Sequence, residues 1–156
     1  GGQVFPIDVR TQGGFDTAAL PPARHFSDDP TVGALDTARL PAGWTTVPLI
    51  RIAHGRSGDK GDKANVGILA RRPEWLPLIS GWLTTDRVAK HFAHNHPSRV
   101  ERWDLPGSNS VNFLLHDVLG GGGMASLRTD NLAKCYAQVL LTMEVPVPEA
   151  VAMASA

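Results

Sequence analysis

The chain has one cysteine, Cys135, in 156 residues. A single thiol excludes an internal disulfide framework and any cysteine-based zinc site. Neither sign of charge is in excess: 15 Lys and Arg balance 15 Asp and Glu, for a formal net charge of zero with histidine neutral. Phosphate-backbone binding comes with a positive excess, so no nucleic acid is expected as a partner. The same balance removes the attraction to an anionic membrane surface. No uninterrupted apolar run approaches the roughly 18 residues that span a bilayer. Gly1 to Phe15 lacks a basic stretch followed by an apolar one, so no signal peptide is expected. What is there is a 42% hydrophobic content, enough for a real core. At roughly 150 residues per domain, the length fits one domain, or one domain with an arm. These exclusions leave a soluble cytoplasmic protein as the expected class.

Composition divides the chain near residue 46. Residues 1–46 hold six of the 16 glycines and five of the 12 prolines, with no sustained apolar period. Val4 to Val9 has the composition of a short strand, and Ala34 to Leu40 of one helical turn. The segment reads as an extended arm or linker that lies on its own core, on a neighbouring subunit or on a larger domain; a disordered tail is the alternative.

Residues 47–145 carry the fold. Val47 to Ala53 is β-branched and bounded by Gly55, and Ala64 to Ala70 is a second strand. Thr84 or Thr85 caps a helix from Asp86 to about His94. Val100 to Leu105 predicts a strand. Val111, Leu114, Leu115, Val118 and Leu119 follow helical spacing, which predicts a helix ended by Gly120. Met124 to Arg128 reads as a short edge strand. Asp130 or Asn131 caps a last helix with Leu132, Cys135, Tyr136, Val139, Leu140 and Met143 on its face, so Cys135 is expected to be a buried thiol. Pro146 and Pro148 end the ordered part, leaving 146–156 as a tail. Alternating strands and helices predict a small α+β or α/β sandwich.

The densest charge lies between the first two strands, from His54 to Asn65. Glycines recur at 55, 58 and 61, a spacing that lets backbone N–H groups turn inward as a concave anion site. Arg56, Lys60 and Lys63 can add charge-assisted bonds to a phosphate or carboxylate, and Ser57 a neutral donor. Known phosphate motifs are not matched. A Walker-type loop from Gly55 needs glycine at position 60 and lysine at 61, and Lys60 and Gly61 stand reversed. Asp59 and Asp62 oppose an anion, so a self-neutralising structural turn is the alternative, with a divalent-metal site third.

Other candidates are weaker. Four consecutive glycines, Gly120 to Gly123, exceed what a helix cap needs, so backbone there passes close to a ligand, to another backbone or to a partner chain. Asn112 and His116 stand four apart on the expected helix, with His116 a neutral-pH base or an ordinary half-buried histidine. His91, His94 and His96 are read as complementing a helix end rather than as ligands, and no metal is expected. Trp75, Trp82 and Trp103 suit a core or an interface.

The run Arg56-Ser57-Gly58-Asp59-Lys60-Gly61-Asp62-Lys63-Ala64-Asn65-Val66-Gly67 resembles the signature of the C-terminal domain of the acyclic terpene utilisation (AtuA-like) family. Three further stretches agree in order: Leu105-Pro106-Gly107 with Val111 to Leu115, Leu119 with Gly120 to Gly123, and Ser126-Leu127-Arg128. The resemblance covers about residues 47–145. It implies a ferredoxin-like fold, so the expected fold class is α+β, a small ferredoxin-like α/β sandwich with an extended N-terminal arm. It also implies catabolism of acyclic terpenoids through coenzyme A thioesters, and a larger AtuA-type chain or a homo-oligomer as partner. The expected function is an accessory domain or small subunit that binds an anionic ligand at 54–65. Arg56, Ser57, Gly58, Lys60, Gly61, Lys63, Asn65, Asn112, Gly121 and Gly122 are the binding candidates. If the chain is an enzyme, a hydratase or lyase step on a thioester is expected, with Asp59, His54 or His116 moving the proton. The alternative is a non-catalytic assembly domain.

Overall fold

The computed structural model describes residues 30–156. Within them, six strands form two antiparallel sheets. The smaller sheet pairs β1 (Trp44–Pro48) with β6 (Glu144–Pro148). The larger contains β2 (Ala53–Lys60), β3 (Lys63–Ala70), β4 (Val100–Leu105) and β5 (Ser110–Leu115), in the spatial order β2-β3-β5-β4. Helix α1 (Pro30–Gly33) precedes β1, α2 (Leu76–Trp82) and α3 (Thr85–His91) join β3 to β4, α4 (Tyr136–Leu141) follows β5, and α5 (Glu149–Ala154) follows β6.

Counted from β3, the chain runs strand, helices, strand, strand, helix. A ferredoxin-like β-α-β-β-α-β unit would close with one more strand beside the first. That place is filled by β2, which comes before β3 and is joined to it as a hairpin. The last strand of the motif has thus moved to the front, while the chain leaving α4 goes on to the second sheet. The fold is α+β, and its large sheet is a ferredoxin-like sheet in permuted order.

Strand alternation assigns the two faces. Ala64, Val66 and Ile68 of β3 and Val111, Phe113 and Leu115 of β5 are buried under the helices. Helix α4 lies on β2 and β3, and α3 lies against β4. Gly55 is part of this packing: a Cβ there would stand 3.1 Å from Ala137 Cβ and 3.2 Å from both Ile68 Cδ1 and Leu141 Cδ1. The register puts the opposite face in rows. His54, Leu69, Ser110 and Leu105 form one, and Arg56, Gly67, Asn112 and Trp103 the next. Leu69, Trp103 and Leu105 remain 42–46% exposed on it.

Several sequence expectations change. The strand expected from Val47 is two elements, because the chain turns through a short 3-10 segment, Leu49–Arg51, between β1 and β2. The boundary at 46 falls inside β1, so Trp44 to Thr46 belong to a sheet; a strand at Val4 to Val9 lies outside the described residues. Residues 34–40 form turns, and α1 precedes them. Thr84 does cap α3, accepting from Arg87 N at 3.2 Å, but the helix ends at His91. The helix expected over 111–119 is β5 and a turn. Met124 to Arg128 is not a strand. The last core helix starts only at Tyr136, with the Asp130 carboxylate accepting from Lys134 N and Cys135 N at 2.7 and 2.8 Å. Cys135 is exposed at that helix start rather than buried. Residues 146–156 are not a tail: they complete β6 and form α5, whose last turn is fastened by Arg51 donating to Ala152 O (2.7 Å) and Ser155 O (3.3 Å).

Candidate functional site

The stretch 54–65 is a hairpin, not a loop. β2 and β3 pair along their whole length, down to Lys60 opposite Lys63. Gly61 takes a φ of 66° at the first central position of the two-residue turn Gly61-Asp62, where glycine suits a II′ geometry. In the ladder every second N–H of the edge strand β2 is spent on β3, and the extended backbone points the alternate ones to the open edge singly rather than inward together. The evenly spaced glycines therefore do not form a backbone anion nest. Gly55 admits α4, and Gly61 makes the turn. Gly58 lets the end of a lysine side chain approach, since a Cβ there would stand 3.4 Å from Lys134 Nζ.

That approach creates a cation cluster which sequence reading missed. A cavity of about 390 Å³ is lined by Arg56, Ser57, Gly58, Asp59, Lys60, Asn65, Gly67 and Lys134. Lys134 pairs with Asp59 Oδ1 at 3.7 Å, and both are well exposed. Among the described residues, Lys60 Nζ donates only to its neighbour's carbonyl, Asp59 O, at 2.9 Å. The Arg56 guanidinium makes no hydrogen bond or ion pair with any described residue. Lys134 was not legible because residues 131–143 read as one helix, which put it on a solvated face far from β2.

Other expected binding residues have structural tasks. Ser57 Oγ accepts from Ala137 N at 2.9 Å and so caps α4 from a neighbouring strand. Asn65 Nδ2 donates to Asn112 Oδ1 at 2.7 Å and to Phe113 O at 3.3 Å, locking β3 to β5 on the open face. Asp62 holds the glycine run: its Oδ1 accepts from Leu119 N (3.1 Å) and Gly121 N (2.8 Å). Gly120, Gly121 and Gly122 have φ of 68°, 94° and 90°. A Cβ on Gly122 would stand 3.1 Å from Gly61 O, and one on Gly123 only 2.6 Å from Leu132 Cδ2. Of the alternatives for this run, close approach to another backbone is the one the structure has. Gly121 and Gly122 buttress the hairpin turn.

The proposed proton carriers stand apart. His54 lies on the open face opposite Leu69, with Arg71 donating to its Nε2 at 3.2 Å. Asp59 sits near the hairpin turn, five residues along β2 and so about 16 Å away at ~3.3 Å per residue. His116 follows β5 on the same side as Glu101. Its Nε2 donates to Glu101 Oε2 at 2.9 Å, and Arg99 also pairs with Glu101. Among the described residues, Asp59 lines the cationic cavity, and neither His54 nor His116 does. Among the described residues, no group of three His, Cys, Asp or Glu is placed to hold a metal ion. His91 instead bonds Val139 O at 2.8 Å.

The hydrogen bond from His116, then the charge of Arg99, hold the Glu101 carboxyl below its ordinary range. A depressed folded-state value means the stabilisation is fully present above the unfolded carboxylate value, about 4.3. It is lost as pH falls through the lower folded value. Glu101→Gln should therefore lower stability modestly at neutral pH, flatten the acid limb of a stability–pH curve and converge with the unaltered chain at low pH. An unaltered acid limb would mean that this pair does not contribute.

Four stretches far apart in sequence meet at this corner: the hairpin 56–67, Asn112, the glycine run 120–123 and the segment leading to Lys134. Residues 47–146 match the family model described as AtuA ferredoxin-like domain, well over half of the chain. The chain belongs to this family. No curated protein and no solved structure matches it. In this AtuA ferredoxin-like domain, the signature hairpin and the glycine run meet at one end of the large sheet, while Leu105-Pro106-Gly107 lies at the opposite end. Within that end, Asp62, Ser57 and the glycines hold the frame, while Arg56, Lys60 and Lys134 face the cavity. No helix among the described residues is long and apolar enough to cross a membrane.

Proposed function

We propose that this domain is an accessory domain or small subunit of acyl-CoA or terpenoid catabolism, and that its part is to bind an anionic small molecule at the β2–β3 hairpin. The observation that carries this reading is the cavity with Arg56, Lys60 and Lys134 on its wall and Arg56 without a partner among the described residues. A guanidinium left free beside two ammonium groups favours a phosphate or carboxylate, which accepts several charge-assisted bonds at once. A coenzyme A thioester supplies such phosphates. The separation of His54, Asp59 and His116 favours binding over a shared acid–base centre, so a hydratase or lyase step would need groups from a partner chain.

A thermal-shift panel of coenzyme A, ATP and inorganic phosphate tests the reading. A ligand at 100 times its dissociation constant adds about 2.7 kcal/mol to stability, and the midpoint should rise accordingly. A flat response across the panel would favour the second reading, a non-catalytic assembly domain for a larger AtuA-type chain or a second copy. That reading draws on the exposed Leu69, Trp103 and Leu105 of the open face, since exposed tryptophan and leucine are interface material.

A further inference from the structure

A second cavity, of about 310 Å³, opens on the same sheet face and is lined by His54, Gly55, Arg56, Gly67, Ile68, Leu69, Ser108 and Ser110. It shares Arg56 and Gly67 with the cationic cavity. Its character is different: the Leu69 side chain makes an aliphatic wall, and Leu105 continues that row beyond Ser110 in the register. Gly67 lies at the waist between the two. A Cβ there would meet nothing closer than Asn112 Oδ1 at 3.7 Å and Arg56 O at 3.8 Å, so the missing side chain leaves a passage rather than relieving a clash. Gly58, on the same face two places along β2, is where Lys134 Nζ reaches the cationic end. From Gly58 to His54 the trough runs four residues, about 13 Å at ~3.3 Å per residue.

Resting on the anion-binding reading above, we infer that the two cavities form one amphipathic site, in which an anionic head sits among Arg56, Lys60 and Lys134 and an aliphatic tail lies over Gly67 toward Leu69 and Ser110. An anion alone would leave Leu69 and Leu105 in water. An apolar molecule alone would desolvate Arg56 without a partner, which is costly. A molecule with both parts satisfies both ends. Gly67 then sets specificity, because any side chain at that position narrows the waist that joins the two cavities.

Ethyl, butyl, hexyl and octyl phosphate, each below its micelle concentration, test this by calorimetric titration. Affinity of the unaltered chain should climb with tail length, approaching about fourfold for each methylene that is fully buried. Gly67→Leu should lose the climb, binding the four phosphates with nearly equal affinity. Leu69→Ser, at a half-exposed position, should shallow the climb and serves if Gly67→Leu misfolds by circular dichroism. Equal affinity for all four phosphates would overturn the tail subsite and leave the anion site standing. A climb unchanged in both variants would put the tail elsewhere and also overturn it. Failure of every alkyl phosphate to bind would remove the anion reading and this inference together.

Discussion

Gly122→Ala should cost about 2–5 kcal/mol of folding stability, and Gly43→Ala only about 1–2. Both glycines have positive φ, 90° and 78°. An L side chain in that region costs roughly 1–2 kcal/mol. The two positions differ in what surrounds them. Nothing lies within 4 Å of a Cβ at Gly43, whereas at Gly122 that atom would meet Gly61 O at 3.1 Å and Gly61 C at 3.2 Å. Those atoms are backbone, at the apex of the β2–β3 turn, and cannot rotate away. Relief requires the glycine run and the turn to separate, which strains the bonds from Leu119 N and Gly121 N to Asp62. Overpacking of this kind adds about 1–3 kcal/mol. Urea midpoints at constant m measure the difference. Equal losses at the two positions would mean the turn and the glycine run are not in contact. The same variant should weaken anion binding, since the turn carries Lys60.

The glycine run illustrates what a sequence does and does not disclose. That four glycines in a row demand a close neighbour follows from sterics. Which neighbour follows only from topology, because Gly61 lies 61 residues earlier. Residues 111–119 fail for a different reason. Val111, Leu114, Leu115, Val118 and Leu119 fit a helical period, but Val111, Phe113 and Leu115 fit a strand period equally well. Short apolar runs carry both signals. The tie is broken by pairing partners on both sides, β3 and β4, which no local pattern contains. In the last core helix the periodicity is right and the start is late, because Asp130 spends its carboxylate on the N–H groups of Lys134 and Cys135 across a turn.

Prolines misled at the C-terminus. Pro146 and Pro148 stop a helix, and that is how they read. In β6 they occupy alternate positions of a strand that, among the described residues, pairs only with β1, so their missing donors fall on the side away from β1. The ferredoxin-like order was hidden by the permutation: β2 stands before the unit it completes, and a left-to-right reading finds a hairpin where the fold expects a helix. The cationic cavity was half legible. Arg56 and Lys60 were visible as charges between strands, while Lys134 needed the packing of α4 on β2, which brings it over Gly58.

Charge at that cavity gives the second large effect. Arg56→Ala should weaken coenzyme A or phosphate binding about 10–100-fold, the equivalent of one charge-assisted hydrogen bond of roughly 1.5–3 kcal/mol. Stability should change by no more than about 0.5 kcal/mol, because Arg56 contacts no described partner. Lys134→Ala should weaken binding too, with little loss of stability, since its pairing with Asp59 is exposed and 3.7 Å long and such pairs contribute about 0–1 kcal/mol. Asp59→Asn should act in the opposite direction. It removes the one carboxylate on the cavity wall and releases Lys134 toward an incoming anion, so affinity should rise and fall off more steeply with added salt. Isothermal titration at two ionic strengths reads all three. An assembly domain predicts something else: the three variants would leave small-anion affinity alone and differ, if at all, in sedimentation. The opposed signs of Asp59→Asn and Arg56→Ala separate an electrostatic pocket from general loosening of the hairpin, because a damaged hairpin would lower affinity in both.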